Sequence, residues 1–168
     1  ERRGALDGED TMTRGFARIL VPTDFSPPSG AALATAGALA VQFGASIHLI
    51  HVLEDPYTAA AYASDVYGYM PSGLSESWRK EAQTQLEKLL DAPEKAQFRV
   101  TTSVTFGSPA KAIVDYARDN GINLIVMGTH GRGGFAHLLL GSVAEQVVRT
   151  AECPVLTDRG TAAALATL

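Results

Sequence analysis

The chain has 168 residues, 46% hydrophobic and 19% charged, which predicts one soluble globular domain that buries roughly 70% of its unfolded surface. With a formal net charge of −4 and no cluster of lysine and arginine, we expect neither nucleic acid nor a membrane surface as a partner. We expect a cytoplasmic protein, because there is no apolar run of membrane-spanning length, no opening signal-peptide pattern, and only one cysteine.

The two ends of the chain lack the periodicity of the rest. Residues 1–13 are polar and aperiodic, and we expect them to be disordered or left over from cloning. Residues 159–168 are rich in alanine, lack helix caps and predict a loose C-terminal tail. A domain of residues 14–158 remains, in which the tyrosine-rich segment 55–73 predicts a functional or mobile loop.

Strand and helix patterns alternate along this domain. An apolar run at residues 18–22 predicts a strand buried on both faces, and Ser26-Pro27 followed by Gly44 predicts the bounds of the first helix. A second strand is predicted at 47–53 and a second helix at 74–90. Residues 98–106 then alternate apolar and polar, which is typical of a strand at the edge of a sheet.

The second half of the domain continues the same alternation. Gly107-Ser108-Pro109 begins a helix that ends at Asn120-Gly121, and residues 122–127 form another apolar run. A helix from Ser142 and a last strand at 154–157 follow. The pattern predicts an α/β fold with a five-stranded, mostly parallel sheet and helices on both faces.

Three glycines, Gly128, Gly131 and Gly141, lie between the apolar run and the last helix. A strand, a glycine-rich loop and a helix start are typical of phosphate binding, because glycine lets the backbone approach an anion and the first helical turn offers unpaired N–H groups. The S-x-x-E pattern from Ser142 to Glu145 has the form of a capping box and predicts the helix N-terminus at Ser142. The N–H groups of Ser142 and Val143 would face the anion, and the Ser142 hydroxyl either caps the helix or contacts phosphate.

Several motifs, taken together, resemble the universal stress protein family over residues 14–158. They are residues 18–26 (RILVPTDFS), His51-Val52, Gly107-Ser108-Pro109, the glycine spacing G-x2-G-x9-G-S from Gly128 to Ser142, and residues 153–156 (CPVL). The glycine spacing is similar to that of the ATP-binding members. The resemblance implies the adenine nucleotide alpha hydrolase-like fold with strand order 3-2-1-4-5. A ligand then lies at the carboxyl ends of strands 1 and 4, where the order reverses.

The resemblance also implies a cofactor, which is ATP or another adenine nucleotide with Mg²⁺ or Mn²⁺ on its phosphates and no metal ligand from protein side chains. It implies that Asp24 accepts a hydrogen bond from the base, although Asp24 can equally be a turn residue before Ser26. Arg132 is either a charged lid over the phosphates or a solvated loop residue. The cofactor-binding residues implied are Pro22, Thr23, Asp24, Val52, Met127, Gly128, Gly131, Arg132, Gly141, Ser142 and Val143.

The function predicted from these motifs is that of an ATP-binding universal stress protein, a nucleotide-dependent binding or regulatory module in stress response. A slow ATPase or phosphotransferase in the same pocket is an alternative, but the chain has no P-loop lysine and no motif that supplies a catalytic residue. A dimeric adaptor with a vestigial nucleotide site is another. The resemblance implies a homodimer through the last strand, residues 154–157.

Overall fold

A computed structural model of the chain describes residues 15–54, 74–129 and 140–160. The predictions for residues 1–13, for the tyrosine-rich segment 55–73 and for the tail beyond residue 160 lie outside the described residues. No helix in the described ranges is long and apolar enough to cross a membrane. The elements are, in chain order, β1 (Arg18–Pro22), α1 (Pro27–Phe43), β2 (Ser46–Leu53), α2 (Leu74–Glu87), α3 (Ala92–Phe98), β3 (Thr101–Phe106), α4 (Pro109–Asp119), β4 (Leu124–Gly128), α5 (Ser142–Thr150) and β5 (Val155–Asp158).

The five strands form one parallel sheet in the order β3-β2-β1-β4-β5, which confirms the predicted fold class and strand order. Ile19 of β1 lies in register with Ile47 of β2 on one side and with Leu124 of β4 on the other. The strands that follow β1 are therefore added first on one side of it, as β2 and β3, and then on the other side, as β4 and β5, so the strand order reverses between β1 and β4. In sheets of this kind the crevice at that point, beyond the carboxyl ends of the two strands, is where ligands bind.

The central strands are buried on both faces, as their apolar runs predict. Ile19 and Val21 of β1 face α1, α2 and α3, whereas Leu20 faces α4 and α5, and all three side chains are fully buried. Successive side chains of a strand point to opposite faces, so an apolar run without polar alternation needs a layer of helices on each side. Burial of this apolar surface is the main force that holds the three layers together.

The bounds of α1 follow the local sequence. Ser26 is the N-cap with extended backbone, and Pro27 occupies the first turn, where its missing N–H does no harm. Gly44 ends the helix in the left-handed conformation with φ 64°, and its N–H donates to the carbonyl of Ala40. Glycine takes this conformation without the strain that a Cβ brings.

The prediction for residues 98–106 is half wrong. The strand begins only at Thr101, and Phe98 ends the short helix α3 with its side chain buried in the core. A capping box starts this helix: Asp91 Oδ1 accepts the N–H of Glu94 at 2.8 Å, and Glu94 Oε2 accepts the N–H of Asp91 at 2.8 Å. This D-x-x-E pattern fixes the helix, and it overrides the apolar alternation that runs backwards through Phe98.

The edge position predicted for this strand is confirmed, because β3 ends the sheet and pairs with β2. Arg79 of α2 covers its outer edge: Nη1 donates to the carbonyl of Val104 at 2.8 Å, and the guanidinium lies 5.0 Å from the ring centre of Phe106. A charged side chain that covers an edge strand blocks pairing with another chain, and the cation–π contact holds the guanidinium of Arg79 in place.

His48 and His51 lie on opposite faces of β2, with His48 against Tyr116 of α4 and His51 against Phe25. Burial, and then the nearby Arg18 guanidinium, lower the pKa of His48 below its ordinary value. As the pH falls below about 6.5, the imidazole of His48 is protonated in the unfolded chain before it is protonated in the folded one, so the folded state loses stability.

We expect acidification from about pH 7.5 to about pH 5 to lower the free energy of unfolding of the unmodified chain more than that of His48→Gln, as measured by urea unfolding. Equal losses would contradict this expectation.

Candidate functional site

The turn between β1 and α1 is held by hydrogen bonds to β2 and to α1. Thr23 is buried, and its N–H donates to the carbonyl of Ile50 in β2 at 2.9 Å. Its hydroxyl lies 3.0 Å from the Ser29 hydroxyl in α1 and accepts the N–H of Phe25 at 3.0 Å. The carbonyl of Thr23 lies 2.7 Å from Nδ1 of His51. These bonds fix the backbone immediately beyond the carboxyl end of β1.

Asp24 occupies the middle of this turn and performs the turn role that the sequence left open. Its Oδ1 accepts the N–H of Ser26 at 3.1 Å and also the Ser26 hydroxyl. A carboxylate offers about four lone-pair sites, so this turn does not by itself exhaust its capacity as an acceptor. The next residue, Phe25, has φ 64°, a left-handed conformation that is uncommon outside glycine, and its ring centre lies 4.6 Å from that of His51. The surrounding contacts thus hold a strained backbone in one conformation.

The end of β4 packs tightly on the first turn of α1. A Cβ on Gly128 would lie 3.0 Å from the carbonyl carbon and from Cβ of Pro28, and 3.1 Å from its carbonyl oxygen. Glycine at this position therefore has a packing reason that is independent of any ligand. The sequence reasoning missed it because Pro28 is 100 residues away in the chain.

Gly141 is the N-cap of α5, with φ −71° and ψ 157°, a conformation that any residue can adopt. Its carbonyl accepts the N–H of Glu145 at 2.9 Å, and its own N–H donates to the carbonyl of Thr129 at 2.7 Å. In this structure Gly141 therefore fixes the start of α5, and its own N–H is already engaged by Thr129.

The helix begins at Ser142 as predicted, but the capping box predicted there is wrong. Because the N-cap is Gly141, Glu145 lies one position too far along to reach back, and its carboxylate instead accepts from Arg149 Nη2 at 2.7 Å. Ser142 is exposed. Within the described ranges, no acceptor lies on the N–H groups of Ser142 or Val143. Among the residues that the structure describes, these two donors are left open to an anion at the positive end of the helix dipole.

Apolar members of the predicted site converge on the face of the sheet that carries α4 and α5. Val52, Met127 and Val143 all belong to, or pack against, the same buried cluster, and Leu140 joins them. Pro22 is buried at the end of β1. The structure therefore brings together the predicted residues Val52, Met127 and Val143 from β2, β4 and α5. Gly131 and Arg132 lie outside the described residues.

Thr129 and Asp158 were missed by the sequence reasoning. Thr129, which follows β4, is 3% exposed, and its N–H donates to the carbonyl of Asp158 at the end of β5, at 2.8 Å. Thr129 fills a variable position of the glycine motif and Asp158 lies beyond residues 153–156, and their contact joins the ends of two neighbouring strands rather than neighbouring residues. No signal in the sequence pointed to them.

Other features of the described residues offer little alternative chemistry. Burial raises the pKa of the Cys153 thiol, which keeps it in its unreactive form at neutral pH. Among the described residues, no group of three His, Cys, Asp or Glu side chains could hold a metal ion. Two open grooves, of about 560 and 430 Å³, flank β3, and no residue predicted for the nucleotide site lines either of them.

Comparison with known proteins gives consistent matches to one family. The model of the universal stress protein family matches residues 15–159. The chain is 35% identical over 145 residues to universal stress protein MJ0531 of Methanocaldococcus jannaschii, covering 84% of this chain and 81% of that protein. The solved structure of protein MJ0577 from the same organism has a TM-score of 0.69 at 28% identity, covering 86% of this chain and 96% of that one.

Two more distant solved structures carry bound nucleotides. A universal stress protein in complex with cAMP matches with a TM-score of 0.56 at 24% identity, covering 88% of this chain and 99% of that one. A universal stress protein from Archaeoglobus fulgidus in complex with dAMP matches with a TM-score of 0.57 at 20% identity, covering 86% and 99%. At these low sequence identities, both matches support the fold of this chain and nothing beyond it. By the match of its family model and the identity of its relatives, this chain belongs to the universal stress protein family.

Proposed function

We propose that this chain binds ATP, or another adenine nucleotide, at the carboxyl ends of β1 and β4. It would work in the cytoplasm as a nucleotide-dependent binding or regulatory module in stress response. The observation that carries the proposal is the pair of N–H donors of Ser142 and Val143 at the N-terminus of α5, which have no acceptor among the described residues. The cAMP and dAMP complexes of related fold motivate the choice of an adenine nucleotide. The assignment to this chain rests on its own residues.

The phosphates would lie on the start of α5. The N–H groups of Ser142 and Val143 donate to phosphate oxygens, and the helix dipole adds a favourable field. Gly131 and Arg132, predicted from the sequence, would complete this end. An accompanying Mg²⁺ or Mn²⁺ would take its ligands from phosphate oxygens and water.

The adenine would lie on the turn after β1. Asp24 accepts a hydrogen bond from the base amino group there, next to Pro22 and Thr23. Val52 would supply the apolar wall against the adenine and Met127 would lie near the ribose, since both side chains lie in or against the same buried cluster. The bonds that hold Thr23 to β2 and α1 keep this turn in place before the base arrives, so little ordering entropy is lost on binding.

Base preference tests this assignment. A guanine presents a carbonyl oxygen where adenine presents its amino group, so we expect ATP to bind more tightly than GTP. Asp24→Asn keeps an acceptor for the Ser26 N–H and offers an amide donor to guanine. We expect it to narrow the ATP-to-GTP affinity ratio about tenfold, since an unpaired buried polar group costs about 1–3 kcal/mol.

The control for the turn is Ser26→Ala, which removes one hydrogen bond to Asp24 and leaves its carboxylate in place. We expect this variant to keep the ATP-to-GTP ratio of the unmodified chain. Calorimetric titration with each nucleotide measures both ratios. Equal affinity of the unmodified chain for ATP and GTP would leave Asp24 with its turn role alone.

We further propose a homodimer through the predicted last strand, residues 154–157, most of which lies in β5. The carbonyls of Pro154 and Asp158 accept N–H groups from the β4 side, so by alternation the backbone groups of Val155 and Thr157 point to the outer edge. An unpaired edge of this kind pairs readily with a second copy. Val148 of α5, the helix that precedes β5, is an apolar side chain that is 49% exposed.

Replacing Val155 with proline removes one outward N–H and leaves the β4–β5 ladder intact. We expect this variant to dissociate at least about tenfold more readily than Val155→Ala, which keeps the N–H. Light scattering over a concentration series measures both. A stable monomer of the unmodified chain at micromolar concentration would contradict the dimer, and a dimer unaffected by Val155→Pro would place its interface elsewhere.

A further inference from the structure

We propose that Asp158 and Thr35 form a latch that positions both ends of the nucleotide site without touching the nucleotide. The inference rests on the function proposed above and names positioning residues for it. The latch is defined as the hydrogen-bonded pair of the Asp158 carboxylate and the Thr35 hydroxyl.

Asp158 is the last residue of β5, and Thr35 lies in the middle of α1. The Thr35 hydroxyl donates to Asp158 Oδ2 at 2.6 Å, and the N–H of Gly160 donates to Oδ1 at 2.8 Å. Both carboxylate oxygens are therefore engaged, and hydrogen bonds to a charged acceptor are among the stronger ones. The side chain of Asp158 ties the edge strand to the helix that follows β1.

The main chain of the same residue leads to the phosphate end of the site. The carbonyl of Asp158 accepts the N–H of Thr129 at 2.8 Å, and the carbonyl of Thr129 accepts the N–H of Gly141 at 2.7 Å. Thr129 is 3% exposed, so water hardly competes for these bonds. Two successive hydrogen bonds thus connect the latch to the N-cap of α5.

The latch reaches the adenine end through α1. Gly128, which lies in register with Asp158, and Gly160, with φ 71°, both pack against Pro28 in the first turn of α1. A Cβ on Gly160 would lie 3.4 Å from Cα of Pro28. This turn of α1 directly follows the turn that carries Asp24. Asp158 therefore fixes the ends of β4 and β5 relative to α1, and through them the distance between the phosphate end and the adenine end of the site.

The β4–β5 ladder needs only backbone groups, so it does not explain a carboxylate at this position. A half-buried carboxylate loses hydration, and that loss is compensated here by its two donors. A purely structural role predicts that removing the carboxylate lowers the melting temperature and leaves the affinity of the folded protein unchanged. The positioning role predicts a loss of affinity that a conservative variant restores.

The first test compares ATP affinities by calorimetry for Asp158→Ala, Asp158→Asn, Thr35→Val and Thr35→Ser at a temperature where each is folded. We expect Asp158→Ala and Thr35→Val each to weaken ATP binding about tenfold. The variant that carries both substitutions should bind ATP no more weakly than Asp158→Ala alone, because the two residues act through one hydrogen bond. Asp158→Asn and Thr35→Ser can remake the pair and should stay within about threefold of the unmodified chain. Asp119→Ala, the same change at an exposed carboxylate in α4, is the matched control.

The second test needs no nucleotide. Amide hydrogen exchange of Thr129 and Gly141 should speed up in Asp158→Ala and Thr35→Val, and return towards its original rate in Asp158→Asn. If the unmodified chain binds no ATP, the proposed function fails, and this exchange measurement still decides whether the latch exists. Unchanged exchange at both amides, or unchanged ATP affinity in folded Asp158→Ala and Thr35→Val, would overturn the inference.

Discussion

Replacing Ser142 with proline is expected to weaken ATP binding at least about tenfold while α5 stays intact, because a charge-assisted hydrogen bond contributes about 1.5–3 kcal/mol. The substitution removes the Ser142 N–H, which we assign to a phosphate oxygen. Proline is well tolerated at the first position of a helix. The preceding Gly141 already has φ −71° and ψ 157°, the extended conformation that a residue before proline adopts.

The matched control is Ser142→Ala, which keeps the N–H and removes only the hydroxyl. We expect its ATP affinity to stay within about threefold of the unmodified chain, because the exposed hydroxyl is not an assigned contact. Calorimetry on variants with unchanged circular dichroism gives both values. An equal loss in the two variants would assign the contact to the hydroxyl instead. No loss in either would remove the phosphates from the start of α5.

Replacing Gly128 with alanine is expected to destabilise the fold by about 1–3 kcal/mol, the usual result of overpacking a tight contact. The added Cβ would lie 3.0 to 3.1 Å from three atoms of Pro28, two of which belong to the backbone. Backbone atoms in the first turn of a packed helix cannot move aside as the end of a flexible side chain can. Urea unfolding with an unchanged m-value would measure the loss.

Gly30→Ala provides the same chemical change in a different environment. Gly30 is an exposed residue within α1, and a Cβ there would meet no atom within 4 Å. Since alanine is the better helix former, this variant should be stabilised by about 0.5–1 kcal/mol. The two substitutions should therefore shift stability in opposite directions. A neutral Gly128→Ala would show that Pro28 yields at little cost.

Periodicity and helix caps predicted much of the fold correctly. The unbroken apolar run of β1 indicated burial on both faces, and Ile19 and Leu20 are indeed buried on opposite faces of the sheet. Ser26-Pro27 and Gly44 marked the bounds of α1, because capping depends on residues that are adjacent in sequence. The strand order followed from the family resemblance rather than from any single element.

Predictions failed where two local patterns competed. Phe98 fits the alternation of the strand that follows it, yet the capping box from Asp91 to Glu94 starts a helix that includes it. At α5, the S-x-x-E pattern suggested that Ser142 is the N-cap, but the bond from Gly141 to Thr129 places the N-cap one residue earlier. At α5 a tertiary contact, the hydrogen bond between Gly141 and Thr129, therefore decided which residue is the N-cap.

Residues could be proposed for the candidate site from the sequence, but the contacts that support the site could not. Val52, Met127 and Val143 could be named because they lie in, or directly beside, motifs that are colinear with the family pattern. Thr35 and Asp158 are 123 residues apart, and the contact between Gly128 and Pro28 joins two separate elements. Such contacts arise from the folded sheet and leave no periodic or capping signal in a single sequence.

The central claim is that this chain binds an adenine nucleotide at the ends of β1 and β4. Calorimetric titration of the unmodified chain with ATP in the presence of Mg²⁺ tests it most directly. We predict saturable binding of one ATP per chain, weakened in Ser142→Pro and preserved in Ser142→Ala. Absence of binding up to millimolar ATP, with the protein folded by circular dichroism, would contradict the account.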